Sequence, residues 1–423
     1  MIKIEKIVPG GQTIATLPDG KKAFFWGALP GEIVSDYKVT KTKSRYLEAI
    51  ASSVKEVSSH RVIPKDECFL STSPWQIMDY QYELETKQLL VSEVFNEHHI
   101  SIPSPQIVTD GKDYYYRNKM EYSLYWDNEE SIIKLAFHQR GSHCKIPILS
   151  SSIERPEIFQ KATQIIDSLN RNQEEARKYQ SLVLRCSQNG IVSGGLYENN
   201  KPHQVFLNLT DEVMGREYSY SPNGFFQINL PVYEMALSEI KNHISTEEVI
   251  DLYAGVGSIG LSVAPNARLT LVEVDKYAYS EMVKNIFASR TEGPDKSINE
   301  ADNLYQTPTA VQTDSSRQTS RTCVQNGNIF AILDKSENVT DYINSNQTVI
   351  LDPPRSGCDQ KLLTKLLETH PAKIIYLSCN PATQARDVKI LLSKYNIDTI
   401  KSYNFFPRTP HIENLVVMSS KSN

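Results

Sequence analysis

The chain has 423 residues, of which 40% are hydrophobic and 22% charged, and its formal net charge at pH 7 is −5. This composition is typical of a globular protein of two to three domains with buried cores, and it gives no general indication of nucleic-acid binding. No stretch approaches the roughly 18 apolar residues of a membrane span, and the start lacks the apolar segment of a secretory signal. The six cysteines are scattered without a CxxC pair, so we expect a reducing, cytoplasmic setting, with no membrane association and no zinc site.

The first sixty residues predict five short strands separated by turns, among them Asp-Gly at 19–20 and Pro-Gly at 30–31. So many strands in so short a segment suggest a small closed or half-closed barrel, a common platform for nucleic acids. A basic cluster, KTKSR, supplies Lys41, Lys43 and Arg45. Such a cluster is either a solvated turn or a contact for phosphates.

The middle region combines helices and strands. Periodicity predicts a helix over 79–97, strands within 112–126 and 132–149, and a second helix over 156–169. The strands place aromatic residues beside Arg117, Lys119 and Arg140, with Lys145 nearby. That mixture suits base stacking and phosphate binding, although an ordinary amphipathic sheet explains it equally well.

From about residue 220 the pattern alternates between strands and helices, which predicts a doubly wound parallel sheet. Within this region, residues 289–322 are polar and poor in apolar side chains. We expect them to form a disordered insertion in place of a short connection.

The segment DLYAGVGSIG (251–260) follows an apolar strand and contains Gly255 and Gly257. Such a loop can bind a dinucleotide at a helix N-terminus. Asp251 favours S-adenosylmethionine instead, because its carboxylate can face the positively charged methionine end. The next strand ends in VEVD, so Glu273 is placed to accept hydrogen bonds from a ribose diol in either kind of site.

Two later strands end in reactive groups. The segment VILDPPRSG (349–357) places Asp352 at the sheet edge where ligands bind in this fold, and the next strand ends in YLSCNPATQ (376–384) with Cys379. A cysteine beside a bound base suggests nucleophilic catalysis, because thiolate addition at C6 of uracil makes C5 nucleophilic. The reaction then requires a base to remove the C5 proton, and Glu413 precedes the last strand. Cys358 is the competing nucleophile.

With these residues identified, the chain resembles the RNA 5-methyluridine methyltransferase family over nearly its whole length. The resemblance is carried by five motifs in the family's order and spacing: FFQIN (225–229), DLYAGVGSIG, VILDPPRSG, YLSCNPAT and FFPRTPHIENLVV (405–417). The N-terminal region, with GGQTIATLPDG and ALPGE, is similar to the TRAM domain, an RNA-binding barrel. This similarity makes the basic cluster a candidate RNA contact.

The resemblance implies a TRAM-like, OB-like barrel over 1–57, an α+β RNA-binding domain over 58–215 and a Rossmann-like class I methyltransferase domain over 216–423. It implies that Cys379 is the nucleophile and Glu413 the base. The residues expected to line S-adenosylmethionine and the target base are Gln227, Tyr253, Gly255, Gly257, Ser258, Glu273, Asn328 and Asp352.

The chain departs from the family in its cysteines. Many members with a TRAM domain bind an iron–sulfur cluster through four cysteines, whereas the corresponding regions here retain Cys68 and a displaced Cys144. Two cysteines do not complete a four-cysteine site, so we expect neither a cluster nor another metal.

We therefore expect a monomeric enzyme that methylates uridine C5 in RNA, with large-subunit ribosomal RNA preferred over the tRNA T-loop because tRNA-specific relatives often lack the barrel. Three alternatives remain open: a base-amino methyltransferase, which needs no cysteine; a cytosine-C5 enzyme, which usually has its cysteine within the DPP-like motif; and a binding protein that retains a methyltransferase shell.

Overall fold

A computed structural model describes residues 1–172, 177–288 and 321–421 of the chain. It divides the chain into two compact units, which comprise 1–207 with 402–412 and 208–401 with 413–423. The second unit begins at Asn208, and the expected domain boundary at 216 stays a prediction. The barrel and the central region fall in one unit, so their separation as independent domains stays a prediction. The expected insertion, 289–322, lies outside the described residues except for its last two.

The first unit begins with a six-stranded sheet in the order β1-β5-β6-β4-β3-β2. Its strands are β1 (Ile2–Lys3), β2 (Lys6–Ile7), β3 (Thr13–Thr16), β4 (Lys22–Trp26), β5 (Ile33–Thr42) and β6 (Tyr46–Val54). The two edge strands are joined by Ile4 and Glu5 alone, so the sheet has to curl into a barrel. The backbone N–H groups of this link form hydrogen bonds on both sides of it: Ile4 donates to the Glu32 carbonyl and Glu5 to the Ile14 carbonyl. The expected first strand is therefore two strands, and the barrel's identity as a TRAM domain stays a prediction.

Alternating side chains fill the barrel. Ala23 and Phe25 of β4, Val34 of β5 and Ala49 of β6 are buried in one cluster with Ile2. This period of two along each strand is the pattern of a sheet with one buried face. The residues that alternate with them in β4, Lys22, Phe24 and Trp26, are more exposed.

The central region holds a second six-stranded sheet, in the order β10-β9-β8-β11-β12-β13. Its strands are β8 (Lys119–Asp127), β9 (Ile132–His138), β10 (Lys145–Pro147), β11 (Ser181–Cys186), β12 (Val192–Glu198) and β13 (Lys201–Pro202). The helices of this region are α1 (Phe69–Thr72), α2 (Tyr80–Glu97) and α3 (Pro156–Arg171), with the short strand β7 (Ile107–Val108) after α2. Ile158, Ala162 and Ile166 recur every four residues on the buried face of α3, which packs against β9 and β11.

The second unit is built on the mixed sheet β18-β19-β17-β16-β20-β21-β23-β22. Its strands are β16 (Glu248–Leu252), β17 (Arg268–Glu273), β18 (Thr322–Asn326), β19 (Ile329–Leu333), β20 (Gln347–Leu351), β21 (Lys373–Ser378), β22 (Tyr395–Tyr403) and β23 (Glu413–Ser420). The helices are α4 (Leu230–Asn242), α5 (Ser258–Val263), α6 (Lys276–Ala288), α7 (Gln360–Thr369) and α8 (Pro381–Leu391), and a separate hairpin joins β14 (Leu209–Val213) to β15 (Arg216–Tyr220). The last residues of β22, Ser402 and Tyr403, belong to the first unit and pair there with β7.

The strands from β19 to β21 run parallel, as the expected Rossmann-like fold requires. From β16 the chain proceeds outward through β17 to β19, and later returns to the other side of β16 to form β20 and β21. The order of strands therefore reverses between β16 and β20, the point where ligands bind in such sheets. Among the described helices, none is long and apolar enough to span a membrane.

Candidate active site

The glycine loop joins β16 to α5 at the switch point. Gly255 has a φ of 57°, and a side chain added there would meet no atom within 4 Å, so open space lies beside the loop backbone. Gly260 is glycine for another reason: its Cβ would lie 2.6 Å from Leu271 Cδ2, so the helix could not pack this closely on the sheet. Tyr253 also has a positive φ, 68°, which is uncommon for a residue other than glycine and occurs often at functional sites.

A buried carboxylate lies under this loop. Asp251 is fully buried, and its Oδ2 accepts a hydrogen bond of 2.8 Å from the Gly260 backbone N–H. Its Oδ1 has no hydrogen-bond partner among the described residues. Burial raises the pKa of Asp251 to about 8. A buried carboxylate oxygen without a donor among the described residues fits a bound group that carries positive charge.

Glu273 holds the other side of the loop. One carboxylate oxygen accepts a hydrogen bond of 2.8 Å from the Gly255 N–H, and the other accepts bonds from the N–H groups of Val274 and Asp275. Ser258 begins α5, and its hydroxyl lies 2.8 Å from the Tyr233 hydroxyl. Gln227 is buried shortly before α4. The expected contacts of these residues with S-adenosylmethionine stay a prediction.

Strand register brings the candidate nucleophile and base together. Strands β21 and β23 are antiparallel, and Ser378 pairs with Asn414. Continued by one residue, this register would place Cys379 opposite Glu413, and the Glu413 carboxyl does act electrostatically on the Cys379 thiol. Asp352 follows β20, the parallel neighbour of β21, and so reaches the same edge. Two carboxylic acids and a thiol are thereby gathered at one edge of the sheet, after the carboxyl ends of β20 and β21 and at the start of β23.

The protein environment opposes negative charge on these groups. Burial, Glu413 and Asp352 raise the pKa of the Cys379 thiol to about 11, whereas Arg355 lowers it. Burial and Asp352 raise the pKa of Glu413 well above its usual range, and burial raises the pKa of Asp352 to about 7. In the free site the surroundings therefore favour the neutral forms of both the thiol and Glu413.

The competing cysteine has a different environment. The Cys358 backbone N–H donates a 2.8 Å hydrogen bond to Asp387, and its side chain is buried. Burial and the negative charge of Asp387 raise the pKa of its thiol far above the usual range. Cys379, by contrast, is partly exposed. Cys358 is thus a packed residue, as the Ser-Gly turn before it suggests.

Asn328 does not lie where it was expected. It precedes β19, and its side-chain amide donates to the Ala267 carbonyl before β17, so it lies at the amino ends of these parallel strands. Glu273 lies at the opposite, carboxyl end of β17. Asp334, the residue after β19, does reach the cofactor edge, since its backbone N–H donates to the Glu273 carbonyl over 3.0 Å. The insertion before Asn328 shifts the alignment of this segment with the family pattern. The signal in the sequence that indicates Asp334 is an acidic residue directly after an apolar strand.

The basic residues expected to contact RNA have different surroundings. Lys41, Lys43 and Arg45 are exposed at the turn between β5 and β6, and Lys41 forms a 2.8 Å ion pair with Glu48. By contrast, the half-buried Arg140 donates to the Leu70 carbonyl and stacks on Trp26 at 4.3 Å. We therefore correct the expectation for Arg140, which acts in packing within the first unit.

Arg117 and Lys119 lie at the start of β8. The guanidinium of Arg117 donates to the Lys119 carbonyl over 2.8 Å. Burial, with the nearby cation Arg185, lowers the pKa of Lys119 to about 8. Their expected contact with RNA stays a prediction.

The expected absence of an iron–sulfur cluster and of any other metal stays a prediction. Among the described residues, no group of three or more histidine, cysteine or acidic side chains is placed to hold a metal ion. Cys68 is buried, whereas Cys144 is exposed.

Arg355 is a site residue to which the sequence analysis assigns no role, although it lies within the VILDPPRSG motif.

Comparison with known proteins agrees with this arrangement. Residues 200–421 match the family model described as tRNA (uracil-5-)-methyltransferase. A protein of Lactobacillus johnsonii described as an RNA methyltransferase is 25% identical over 459 residues, which cover 95% of this chain and 94% of that protein. A Bacillus anthracis protein with the same description is 25% identical over 455 residues, covering 94% of this chain and 92% of its own.

A solved structure shares the fold over the full length. The tRNA (uracil-54, C5)-methyltransferase of Pyrococcus abyssi, in complex with S-adenosyl-L-homocysteine, has a TM-score of 0.73 and 19% identity, with 99% of each chain covered. The family match spans more than half of the chain and includes both Cys379 and Glu413. The chain belongs to the tRNA (uracil-5-)-methyltransferase family, and it is an S-adenosylmethionine-dependent RNA uracil-C5 methyltransferase.

Proposed function

We propose that this enzyme methylates uridine through a covalent adduct on Cys379, with Glu413 as the base that completes the reaction. The observation that carries the proposal is the register of β21 and β23, which makes these two residues neighbours at the edge beside the glycine loop. A nucleophile and a base on opposite strands can act on the two adjacent carbons of one pyrimidine ring.

The chemistry follows from the weakness of C5 of uracil as a nucleophile. The Cys379 thiolate adds to C6, and the electrons of the C5–C6 double bond move to form an enolate. Bound S-adenosylmethionine would supply an electrophilic methyl group for C5; its bond from sulfur to that methyl group breaks, and S-adenosylhomocysteine leaves. Glu413 then takes the proton from C5, the double bond re-forms, and the bond between C6 and the Cys379 sulfur breaks.

Buried acids suit the last step. Because burial and Asp352 raise the pKa of Glu413 well above its usual range, its carboxylate is a stronger base than an exposed one. In the free protein the same groups favour the protonated thiol. The positive charge of the bound cofactor opposes this effect, so nucleophile and cofactor are complementary.

We propose large-subunit ribosomal RNA as the substrate, with the target uridine flipped out of its stack, because the C5 and C6 faces of a stacked base are blocked. Support comes from the curled N-terminal sheet with its exposed Lys43 and Arg45. The tRNA T-loop is the second candidate, since both the family description and the P. abyssi enzyme concern tRNA.

Nucleoside mass spectrometry tests this proposal. Purified protein is incubated with labelled S-adenosylmethionine and unmodified RNA, and ribosomal and transfer fractions are digested separately. We expect labelled 5-methyluridine in the ribosomal fraction and none with Cys379→Ala. Label in the transfer fraction alone would change the substrate, whereas full activity of Cys379→Ala would exclude the covalent mechanism.

The Cys358→Ala variant is the matched control. Cys358 is buried beside Asp387 and takes no part in the proposed steps. It should therefore retain the labelled product. Label in a methylated adenosine, insensitive to Cys379→Ala, would favour the base-amino reaction instead.

A further inference from the structure

We propose that Arg355 is a further catalytic residue, whose guanidinium stabilises the Cys379 thiolate before it adds to the base. The inference rests on the proposed role of Cys379 as nucleophile. It assigns a function to the arginine of the VILDPPRSG motif, which the methylation steps above do not use.

The backbone of Arg355 is fastened to the residue that follows the nucleophile. The Asn380 side-chain amide donates a 2.8 Å hydrogen bond to the Arg355 carbonyl, and the Thr383 hydroxyl donates another of 3.2 Å to the same oxygen. Asn380 is itself held, because its side-chain oxygen caps α8 at the Ala382 N–H and its backbone N–H donates to Ser378. Arg355 and Cys379 are therefore positioned by one small hydrogen-bonded unit.

The rest of the loop is equally constrained. The Arg386 guanidinium donates to the Ser356 carbonyl over 3.0 Å, and the Cys358 N–H donates to Asp387. Gly357 has a φ of 81°, and a side chain there would lie 2.6 Å from both Arg386 and Asp387. This loop thus returns closely against α8, which fixes the backbone of Arg355 beside the residue that follows Cys379.

Several charged groups near the Cys379 sulfur affect its ionisation, and the Arg355 guanidinium is one of them. Glu413 at the start of β23 and Asp352 after β20 both disfavour a thiolate, and burial adds to their effect. Arg355 opposes them through its positive charge. Arg355 also favours the ionised form of Glu413. One exposed arginine therefore promotes both ionisations that the covalent mechanism needs.

The test is the pH dependence of Cys379 alkylation in the free protein, without RNA or cofactor. The thiolate attacks the carbon of iodoacetamide and iodide leaves, and the modified peptide is quantified by mass spectrometry. In Arg355→Gln the midpoint of the profile should rise by about one pH unit, which is about tenfold slower alkylation below pH 9. Arg355→Lys keeps a positive charge and should recover part of this rate.

Arg386→Gln is the matched control, because it removes a guanidinium of α8 that contacts the same loop and acts on the Cys358 thiol. Its Cys379 profile should match that of the unaltered protein. An unchanged profile in Arg355→Gln would overturn the inference, and a weaker RNA affinity in that variant would then assign Arg355 to phosphate binding. Full methylation by Cys379→Ala would instead refute the proposed mechanism, whatever the alkylation profile.

Discussion

Cys379 and Glu413 are neighbours because β21 ends and β23 begins at the same edge of the sheet. In the antiparallel register of these two strands, each residue comes directly after the last pair, Ser378 with Asn414. Glu413 is only 6% exposed, whereas Cys379 is partly exposed. The Cys379 thiol is thus accessible to an incoming RNA nucleobase, and the Glu413 carboxyl group is shielded from water. This asymmetry suits a nucleophile that must reach its substrate and a base that must keep a high pKa.

The Glu413→Gln variant should separate addition from elimination. Glutamine keeps the size of the side chain but cannot take the C5 proton, so methylated RNA should remain bonded to Cys379. We expect turnover to fall by about 10²- to 10⁴-fold. Denaturing electrophoresis with labelled RNA should show a covalent complex that the unaltered enzyme does not accumulate. Turnover within about threefold of normal would assign the base to another group.

Among the elements, α2 carries a buried ion pair that fixes the segment 402–412 within the first unit. The fully buried Lys87 ammonium donates to Glu83 over 2.9 Å and to the Asn404 side chain over 2.6 Å. Glu83 also accepts from the Arg408 N–H over 3.0 Å. Buried charges held in this way tolerate the loss of one partner poorly.

Replacing Lys87 by methionine should therefore cost about 3–5 kcal/mol of unfolding free energy, because the Glu83 carboxylate loses its buried cation. Lys6→Met is the matched control. It breaks a 3.1 Å pair with Glu93 of the same helix, but that pair is exposed and should contribute less than about 1 kcal/mol. Urea unfolding of both variants measures the difference. Equal losses would contradict a structural role for the buried pair.

The turn between β5 and β6 should be the barrel's contact with RNA phosphates. Replacing both Lys43 and Arg45 by glutamine should weaken binding and reduce the slope of log affinity against log salt by about 1.4, or about 0.7 for each lost contact. Lys3→Gln changes an exposed lysine on another strand and should leave the slope in place. Filter binding at several salt concentrations gives these slopes, and an unchanged slope in the double variant would exclude this turn.

At the scale of the whole molecule, the chain crosses between its two units just before Glu413, the proposed base. It leaves the second unit after Lys401, passes through the first as 402–412, and re-enters the second at Glu413. The segment that Lys87 and Glu83 hold is thus covalently continuous with the base. The assignment of 402–412 to the first unit depends on three-dimensional contacts, and nothing in the local sequence pattern indicates it.

Local signals in the sequence predict the centre of the second unit well. The glycine loop, Asp352 and Cys379 each follow an apolar run, so their position at the carboxyl ends of strands follows from the pattern. The strand β22 escapes prediction because charged and polar residues interrupt its apolar positions. Asn328 is misplaced because its correspondence had to cross the long insertion. Arg140 is misjudged because its stacking on Trp26 depends on a contact distant in sequence.

The most direct test of the central claim is covalent trapping with RNA that contains 5-fluorouridine. After thiolate addition and methyl transfer, C5 carries fluorine in place of the proton, so Glu413 has nothing to remove and the adduct persists. With S-adenosylmethionine, we predict a denaturation-resistant RNA–protein complex whose modified peptide contains Cys379. A complex attached at Cys358, or active methylation of ordinary RNA with no complex formed on the fluorinated RNA, would contradict the account.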